Sequence, residues 1–398
     1  MKPEAAINVN EVISLEERYQ LATYKKMPIV ADRGEGVWIY ASNDERYLDL
    51  YGGHAVAATG HCHPHVVKAI KEQAEKLLFY SNLVYSEARA RAAEKLVSIA
   101  PDALAKAFFC NSGSEANENA MRMARMTTGR QNIITFSGGF HGRTADAISA
   151  TFLGKYRELG KPNVPGHLQA EFGDIESARA LADDSVAAIM LEPIQSMAGV
   201  RMAEPSFYRA LRELCDQRGI ILIYDEVQTG IGRTGAWFFA GSEAGDGVVP
   251  DIVTLAKALG SGIPVGACLV THGVAAHIKE NDLGTTFGGG MIAMAAITAT
   301  LEAIEEDEML GNVRMVEAYL RERLKAVEQV VNVRGRGFLL GLEFADAAKP
   351  IHEALLDRRI ITGTSSDAKV LRLLPPLCLR TEEVDLFVES LEEVLAAD

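Results

Sequence analysis

IILIYDEVQTGIGRTG (220–235) and PDIVTLAKALGSGIPVGA (250–267) each contain a short apolar run that predicts a buried strand, followed by a glycine-rich turn. The first segment places Asp225 at the end of its strand, and the second places Lys257 in an otherwise apolar stretch. A carboxylate and an ammonium in such surroundings are costly to bury and need partners. The two groups could form a structural ion pair, or they could be the reactive groups of one site.

Short apolar runs alternate with amphipathic stretches through the middle of the chain. The predicted strands are 106–110, 132–136, 186–192, 220–225, 252–256 and 265–271. Helices are predicted between them, for example at 114–129 and 204–219. Continuous apolar strands separated by helices indicate a mostly parallel sheet covered on both faces, so we predict an α/β fold.

The length of 398 residues suits two domains, or one large domain with a smaller one. From about residue 291 the pattern changes to two long charged helices, at 302–329 and 381–397, around short strands near 338–344 and 370–374. We therefore predict a large domain over 51–290 and a smaller α+β domain over 291–398.

The composition excludes several functional classes. A net charge of −14 argues against nucleic acid or an anionic membrane as a partner. No apolar run approaches the roughly 20 residues that span a bilayer, and residues 1–20 lack the apolar core of a signal peptide. The five cysteines form no CxxC pair, so no disulfide framework or zinc site is implied. We expect a soluble, cytoplasmic protein.

Two further segments place small residues after predicted strands. CNSGSEANENA (110–120) puts Ser112, Gly113 and Ser114 between a strand and a helix, where free backbone N–H groups and the helix dipole favour a phosphate. Ser114 could equally be a plain helix N-cap. FSGGFHGRT (136–144) is glycine-rich and carries an aromatic residue and an arginine.

In this order, from about residue 30 to about 390, these segments resemble the class III (ω-) aminotransferases, which use pyridoxal 5'-phosphate (PLP). Within that family the resemblance is closest to the acetylornithine and ornithine aminotransferase branch. It implies PLP fold type I, with a large domain on a mostly parallel seven-stranded sheet and a smaller α+β domain. It also implies that the segment 1–50 packs with the small domain.

The resemblance implies roles for the central segments. Lys257 is the lysine that binds the PLP aldehyde covalently, and Asp225 faces the pyridine nitrogen and keeps it protonated. Gln228 hydrogen-bonds the 3'-oxygen of PLP, and Val227 packs against the ring. The spacing between Asp225 and Lys257 suits the family.

The same resemblance assigns the phosphate to Ser112, Gly113 and Ser114, although the family more often has threonine at position 114. GTTFGGG (284–290) matches a loop whose threonine, here Thr286, reaches the PLP phosphate of the other subunit of a homodimer. The alternative is a flexible surface loop. Gly290 and Met291 stand where the family has an Asn-Pro pair, which alters the stiffness expected of the loop.

Substrate contacts are also implied. Phe140 would stack on the pyridine ring, or else be a core aromatic. Arg143 would grip a substrate carboxylate with its planar guanidinium, or else be a surface charge. Arg372, in VLRLLPPL (370–377), matches the family's arginine for the α-carboxylate of glutamate and 2-oxoglutarate. Glu192 matches an acid near the pocket mouth.

Two positions depart from the family pattern. The family usually reads IQGEGG, where the glutamate covers the second arginine when an ω-amine enters, but this chain reads IQSMAGV (194–200), with Met197 at the glutamate position. We hypothesise that Arg372 then stays available to carboxylates throughout. An unchanged donor preference in Met197→Glu would contradict this. His54 replaces a common aliphatic residue and could be a core histidine or a specificity contact.

GHCHPH (60–65) concentrates His61, Cys62, His63 and His65. These side chains could ligate a metal, but the family has GHCHP as a turn before a helix, so we predict no metal site.

Together these features predict a PLP-dependent aminotransferase of arginine biosynthesis. It would move the ω-amino group of N-acetylornithine or N-succinylornithine to 2-oxoglutarate, with ping-pong kinetics. The alternatives are another ω-amino acid or amine as donor (γ-aminobutyrate, ornithine, β-alanine or a diamine), with 2-oxoglutarate or pyruvate as acceptor. An aminomutase or decarboxylase on the same scaffold and a non-catalytic oligomeric binding protein are more remote alternatives.

Overall fold

The computed structural model describes residues 8–397. Its helices are α1 (Val9–Tyr19), α2 (Gly52–Ala55), α3 (Pro64–Lys76), α4 (Glu87–Ser98), α5 (Gly113–Thr128), α6 (Ala145–Ala150), α7 (Lys155–Leu159), α8 (Ile175–Leu181), α9 (Pro205–Arg218), α10 (His272–Ala275), α11 (Met291–Glu306), α12 (Met309–Leu324), α13 (Lys349–Asp357) and α14 (Thr381–Ala396).

The strands follow the same order along the chain. They are β1 (Ala31–Glu35), β2 (Trp38–Ala41), β3 (Arg46–Asp49), β4 (Leu104–Cys110), β5 (Asn132–Phe136), β6 (His167–Ala170), β7 (Val186–Leu191), β8 (Ile194–Gln195), β9 (Arg201–Met202), β10 (Ile221–Asp225), β11 (Ile252–Leu255), β12 (Gly266–Thr271), β13 (Val330–Arg336), β14 (Leu339–Phe344), β15 (Ile360–Ile361), β16 (Gly363–Thr364) and β17 (Val370–Leu373).

A seven-stranded sheet in the order β4-β12-β11-β10-β7-β5-β6 forms the centre of the molecule. β12 runs antiparallel to both of its neighbours, and the other adjacent pairs are parallel. Every residue of β7 is buried, because this strand lies in the middle of the sheet. The predicted mostly parallel α/β sheet is confirmed. The edge strand β6 was not predicted, since its short HLQA sequence carries no continuous apolar run.

The C-terminal part contains a four-stranded sheet in the order β13-β14-β17-β16, with antiparallel neighbours. The single long helix predicted over 302–329 is wrong, because the chain forms α11 and α12 with a break at Glu308, whose φ is 51°. The two helices have different partners: Glu302 of α11 binds His65 of α3, whereas Tyr319 of α12 binds Asp385 of α14.

The N-terminal strands share a sheet with the C-terminal part. β1, β2 and β3 are antiparallel neighbours, and β3 pairs in parallel with β15 through Leu48 and Ile360. The boundaries at residues 50 and 290 remain predictions. No helix within residues 8–397 combines the length and the apolar character that a membrane crossing requires.

Candidate active site

Three strand ends bring the predicted site residues to one edge of the central sheet. Asp225 is the last residue of β10, and Lys257 follows the neighbouring parallel strand β11. Ser112 is the N-cap of α5, which begins after β4. The crevice outside the carboxyl ends of such strands is where open α/β sheets bind ligands.

The Asp225 carboxylate is buried and held by donors from three directions. Its Oδ2 accepts hydrogen bonds from Asn117 Nδ2 at 2.7 Å and His141 Nδ1 at 2.8 Å, and its Oδ1 accepts one from the Val227 N–H at 3.1 Å. Asn117 is itself oriented by the Thr254 hydroxyl, which donates to Asn117 Oδ1 at 2.6 Å. This network keeps the carboxylate in one orientation.

The ionisable partner of Asp225 is His141, at 2.8 Å, and not Lys257, so the interpretation of Asp225 and Lys257 as a structural salt bridge is wrong. Burial lowers the pKa of Lys257, and the charges of Asp225 and Glu192 oppose that shift. Burial and the Asp225 charge raise the pKa of Glu192, whose Oε1 accepts a hydrogen bond from the Phe140 N–H at 2.8 Å. A lysine with a lowered pKa is suited to act as a base near neutral pH.

The start of α5 offers an anion site. Ser112 accepts a hydrogen bond from the Glu115 N–H through its side chain, and within residues 8–397 the N–H groups of Gly113 and Ser114 have no hydrogen-bond acceptor. A Cβ at Gly113 would lie 3.0 Å from Val227 Cγ1, so the turn packs closely on the residues after Asp225. Ser114 is inside the helix, so its interpretation as the N-cap is wrong.

The glycine-rich loop 136–144 lies against the same turn. Gly142 has a φ of 137°, and a Cβ there would overlap the Ser114 hydroxyl, so a side chain at position 142 would push the two loops apart. Phe140 is only half-buried and packs edge-on to Tyr156 at 5.4 Å between ring centroids, so it is not a core aromatic. Arg143 is exposed and lies over the Tyr156 ring at 5.0 Å.

Arg372, in β17, is 2% exposed and has only neutral partners. Its guanidinium donates to Thr364 O at 2.7 Å, to Ser196 Oγ at 3.0 Å and to Tyr51 Oη at 2.7 Å. A guanidinium has five N–H groups, so two remain, one on each terminal nitrogen. Arg372 is therefore a buried cation without a carboxylate partner and with a free pair of donors.

Ser196 and Met197 lie in the loop after β8. The Ser196 hydroxyl is fully buried against Arg372, whereas Met197 is half-buried and its carbonyl accepts a hydrogen bond from the Ser366 N–H at 2.8 Å. The family pattern quoted above has glycine at position 196. This chain thus places a hydroxyl on the guanidinium and a thioether where the family has a carboxylate.

His54 lies in a strained turn. Gly52, Gly53, His54 and Ala55 all have positive φ, from 56° to 67°, and each non-glycine residue in that conformation costs on the order of 1–2 kcal/mol. Asp49 Oδ1 stabilises the turn by accepting hydrogen bonds from two backbone N–H groups. His54 is exposed, so it is not a core histidine. The His54 ring packs on Tyr51 at 4.8 Å between ring centroids, and Tyr51 binds Arg372, so His54 lies beside the same pocket. Partial burial and the charges of Arg372, Lys257 and Arg143 lower the pKa of His54.

Thr286 is exposed and lies beside a surface that we call the apolar edge, formed by residues 77–85 and Phe287. Phe287 stacks on Phe79 at 5.2 Å between ring centroids. The loop is not simply flexible, because Asn82 donates to Gly288 O and Arg89 donates to Gly289 O. Gly290 is the N-cap of α11 with a φ of −63°, which any residue can adopt.

The histidines of GHCHPH are separated by their partners. His61 binds Asp49, His63 binds Asp307 and His65 binds Glu302, and no cluster of three metal-ligating side chains occurs within residues 8–397.

Residues 19–395 match the family described as aminotransferase class-III, and the chain belongs to this family. It is 42% identical to the acetylornithine aminotransferase of Archaeoglobus fulgidus, over 95% of this chain and 98% of that protein. Two solved structures have similar folds. The ornithine aminotransferase of Toxoplasma gondii has a TM-score of 0.91 at 26% identity, covering 98% of this chain and 96% of that one. The acetylornithine aminotransferase of Elizabethkingia anophelis has a TM-score of 0.86 at 28% identity, covering 98% and 100%.

The protein is an aminotransferase, and class III aminotransferases depend on PLP. The residues at the sheet edge fit this cofactor. Unpaired N–H groups at the start of α5 suit its phosphate, and a fixed carboxylate at Asp225 suits a protonated ring nitrogen. The buried amide oxygen of Gln228 has no hydrogen-bond partner within the described chain, as expected of a side chain that faces a polar ligand.

Sequence reasoning missed four residues of the site: Asn117, His141, Tyr51 and Ser196. Each of them contacts Asp225 or Arg372 from a distant part of the chain. Only Ser196 left a signal in the sequence, since IQSMAGV departs from IQGEGG at that position as well as at Met197.

Proposed function

We propose that this aminotransferase moves the ω-amino group of an N-acylated ornithine, N-acetylornithine or N-succinylornithine, to 2-oxoglutarate. The observation that carries the proposal is Arg372, a buried guanidinium with two free N–H groups in the pocket of Lys257. Such a group suits the carboxylate that both glutamate and an acylornithine possess. Relatives named acetylornithine aminotransferase, 37–42% identical over most of the chain, support the choice of donor.

Lys257 would attach PLP and act as the base. PLP supplies an aldehyde that carries the amino group between the two substrates and a ring that withdraws electrons from the reacting carbon. The Lys257 amine, with its lowered pKa, removes the proton from the donor carbon that bears the amino group and later returns a proton. One site would serve donor and acceptor in turn, which gives ping-pong kinetics.

Asp225, Gln228, Val227 and the start of α5 would hold the cofactor. The Asp225 carboxylate would keep the ring nitrogen protonated. Its donors Asn117, His141 and Val227 would keep the carboxylate oriented. Ser112, Gly113 and Ser114 would bind the phosphate, and Phe140 would cover one face of the ring. Glu192 holds the Phe140 backbone in place.

Arg143, Tyr156 and His54 would contact the distal part of the donor. His54 and Arg143 are exposed and Tyr156 is half-buried, whereas Arg372 is buried. Arg143 lies over the Tyr156 ring, and His54 packs on Tyr51, which binds Arg372. When the ω-amine reacts, the α-carboxylate and the acylated nitrogen are at the far end of the donor, and a cation beside aromatic rings suits that end. The specificity role of His54 rests on this placement.

We also infer a homodimer with shared active sites. The apolar edge exposes Leu78, Leu83, Tyr85 and Phe287 by 65%, 90%, 106% and 66%, and exposed apolar surface of this kind usually marks an interface. Thr286 adjoins it and would reach the phosphate of the second copy. A monomer in sedimentation velocity at micromolar concentration would contradict this inference. The cytoplasmic location remains a prediction.

A donor panel tests the proposal. With 2-oxoglutarate as acceptor, glutamate formation should be at least about tenfold faster, by kcat/KM, with an N-acylated ornithine than with ornithine, γ-aminobutyrate, β-alanine or putrescine. That ratio corresponds to about 1.4 kcal/mol, the size of one hydrogen bond to the acyl amide that the other donors lack. Glutamate alone should convert bound PLP to pyridoxamine phosphate.

Other outcomes of the panel identify the alternatives. The methionine at position 197, where the family has a glutamate, favours a second candidate, a transaminase for another ω-amino acid or amine. Fast conversion of such a donor with inert acylornithines would establish it. No amino transfer from any donor, together with no bound PLP, would indicate a non-catalytic binding protein.

Ser196→Ala is expected to raise the KM for 2-oxoglutarate about fivefold with little change in kcat. The Ser196 hydroxyl accepts a hydrogen bond from Arg372 Nη1, and its loss leaves the guanidinium less firmly oriented, at a cost of about 1 kcal/mol. Steady-state kinetics at saturating donor measure the effect. Ser196→Gly, which restores the family residue, should behave in the same way. An unchanged KM in both variants would contradict the role of Ser196.

A further inference from the structure

A second cavity, separate from the candidate active site and about 380 Å³ in volume, lies between the loop that follows Arg233 and the C-terminal elements α12 and β13. Its lining includes Met202, Thr234, Arg314, Glu317, Arg321 and Arg336. None of these residues is among those assigned to the candidate active site.

Glu317 and Arg321 form a closed pair within the wall of this cavity. Glu317 Oε1 accepts a hydrogen bond from Arg321 Nε at 2.9 Å, and Glu317 Oε2 accepts one from the Gly337 N–H at 2.7 Å. The remaining Arg321 nitrogens donate to Val333 O and Gly335 O, both at 2.7 Å. The single carboxylate of the lining is therefore already engaged, and it does not neutralise the other two arginines.

The groups that remain available in the cavity are hydrogen-bond donors. Arg336 is exposed, and no ion pair or side-chain hydrogen bond involves it within residues 8–397. Arg314 donates only to Gly235 O, which leaves four of its five N–H groups free. Thr234 is 5% exposed, and its buried hydroxyl has no hydrogen-bond partner in the described chain.

The charge of the cavity is opposite to that of the protein. Three arginines line it against one glutamate, whereas the whole chain carries a net charge of −14. A concave site with unpaired guanidinium groups and a buried hydroxyl has the chemistry that binds phosphoryl and carboxylate oxygens. We propose that this cavity is a second ligand site, which binds a small multiply charged oxyanion.

The position of the cavity indicates what such an anion would do. Thr234 follows Arg233, whose fully buried side chain donates to Phe338 O and Pro375 O and whose carbonyl accepts from the Phe338 N–H. The loop that carries Thr234 is thus joined to the C-terminal part. An anion bridging Thr234, Arg314 and Arg336 would add a further link, so it should stabilise the folded protein.

Isothermal titration calorimetry on the PLP-saturated full chain tests the proposal, with pyrophosphate and citrate as probes. We expect one saturable site per chain for at least one probe and an increase in the melting temperature on its addition. Arg336→Gln and Arg314→Gln should each weaken binding about tenfold, the effect of one charge-assisted hydrogen bond. Both variants should keep the basal transaminase activity, since neither residue lies in the active site.

Arg91→Gln is the matched control, because Arg91 is an exposed arginine paired with Glu94 on α4, and it should bind the probes as the wild type does. Stronger binding of pyrophosphate than of citrate would identify a phosphoryl ligand, and the reverse order a carboxylate ligand. Absence of saturable binding would overturn the proposal. Equal binding by the wild type, Arg336→Gln and Arg314→Gln would also overturn it, since the anion would then lie elsewhere.

Discussion

Lys257→Ala is expected to lower kcat for amino transfer by ~10²- to 10⁴-fold, the usual contribution of a positioned general base. The loss should be larger still if the covalent attachment of PLP also contributes. The lysine is poised for this chemistry because burial lowers its pKa while Asp225 and Glu192 remain close enough to act on it. Turnover with the best donor and 2-oxoglutarate measures the effect.

Intact-protein mass spectrometry after borohydride reduction provides an independent measurement. The wild type should retain PLP covalently, and Lys257→Ala should not. Lys68→Ala is the matched control, because the Lys68 side chain is 72% exposed on α3. This variant should show the same mass increase from bound PLP as the wild type, and the same turnover. Partial recovery of the Lys257→Ala rate with added methylamine would support the role as a base. A normal adduct in Lys257→Ala would contradict the assignment.

Asp225→Asn is expected to lower kcat about 10²- to 10³-fold, as removal of a pre-organised electrostatic group does in other active sites. The substitution removes the negative charge that would face the ring nitrogen. It also places an amide NH₂ among the donors Asn117, His141 and Val227, all of which now donate to the carboxylate. The variant should therefore lose both the charge and part of the network that orients it.

Glu226→Gln separates the catalytic effect from a loss of stability. Glu226 adjoins Asp225 and is equally buried, but its carboxylate accepts hydrogen bonds from the Phe239 and Ala240 N–H groups, and burial raises its pKa to about 7. We expect a lower melting temperature in Glu226→Gln with kcat changed only a few-fold. A wild-type kcat in Asp225→Asn, measured on folded protein with bound PLP, would show that Asp225 has no electrostatic role.

The central strands could be predicted because their environment is uniform. Val186–Leu191 is buried along its whole length, so a continuous apolar run in the sequence corresponds directly to the strand. β6 and β13 were missed because they are edge strands, where buried and exposed side chains follow no clear period, as in the half-exposed residues of β13. α13 was missed although its buried residues Ile351 and Leu355 have helical spacing, because the helix is only nine residues long.

The pair Asp225 and Lys257 could be recognised because charged residues are rare in strands that are otherwise apolar. Their partners could not, since Asn117, His141 and Thr254 belong to a helix, a loop and a strand that are distant in sequence. Phe140 and His54 were each left with a core alternative, because the hydrophobic pattern does not distinguish a core residue from one that lines a pocket. Their exposure in the folded chain excluded the core in both cases.

The family and the central sheet could be recognised from the sequence, and Asp225 and Lys257 could be predicted as the reactive side chains, because each of these depends on local patterns of apolar, small and charged residues. The surroundings of Arg372 could not be predicted, because they depend on the fold. The neutral partners of Arg372, which are Tyr51, Ser196 and Thr364, come from three separate segments, and their convergence leaves a buried cation with two free donors. The second cavity likewise depends on segments that are distant in sequence. Thr234, Arg314 and Arg336 meet there only when the C-terminal elements pack on the loop after Arg233. Hydrogen bonds and charges act over a few ångströms in space, whatever the separation along the chain.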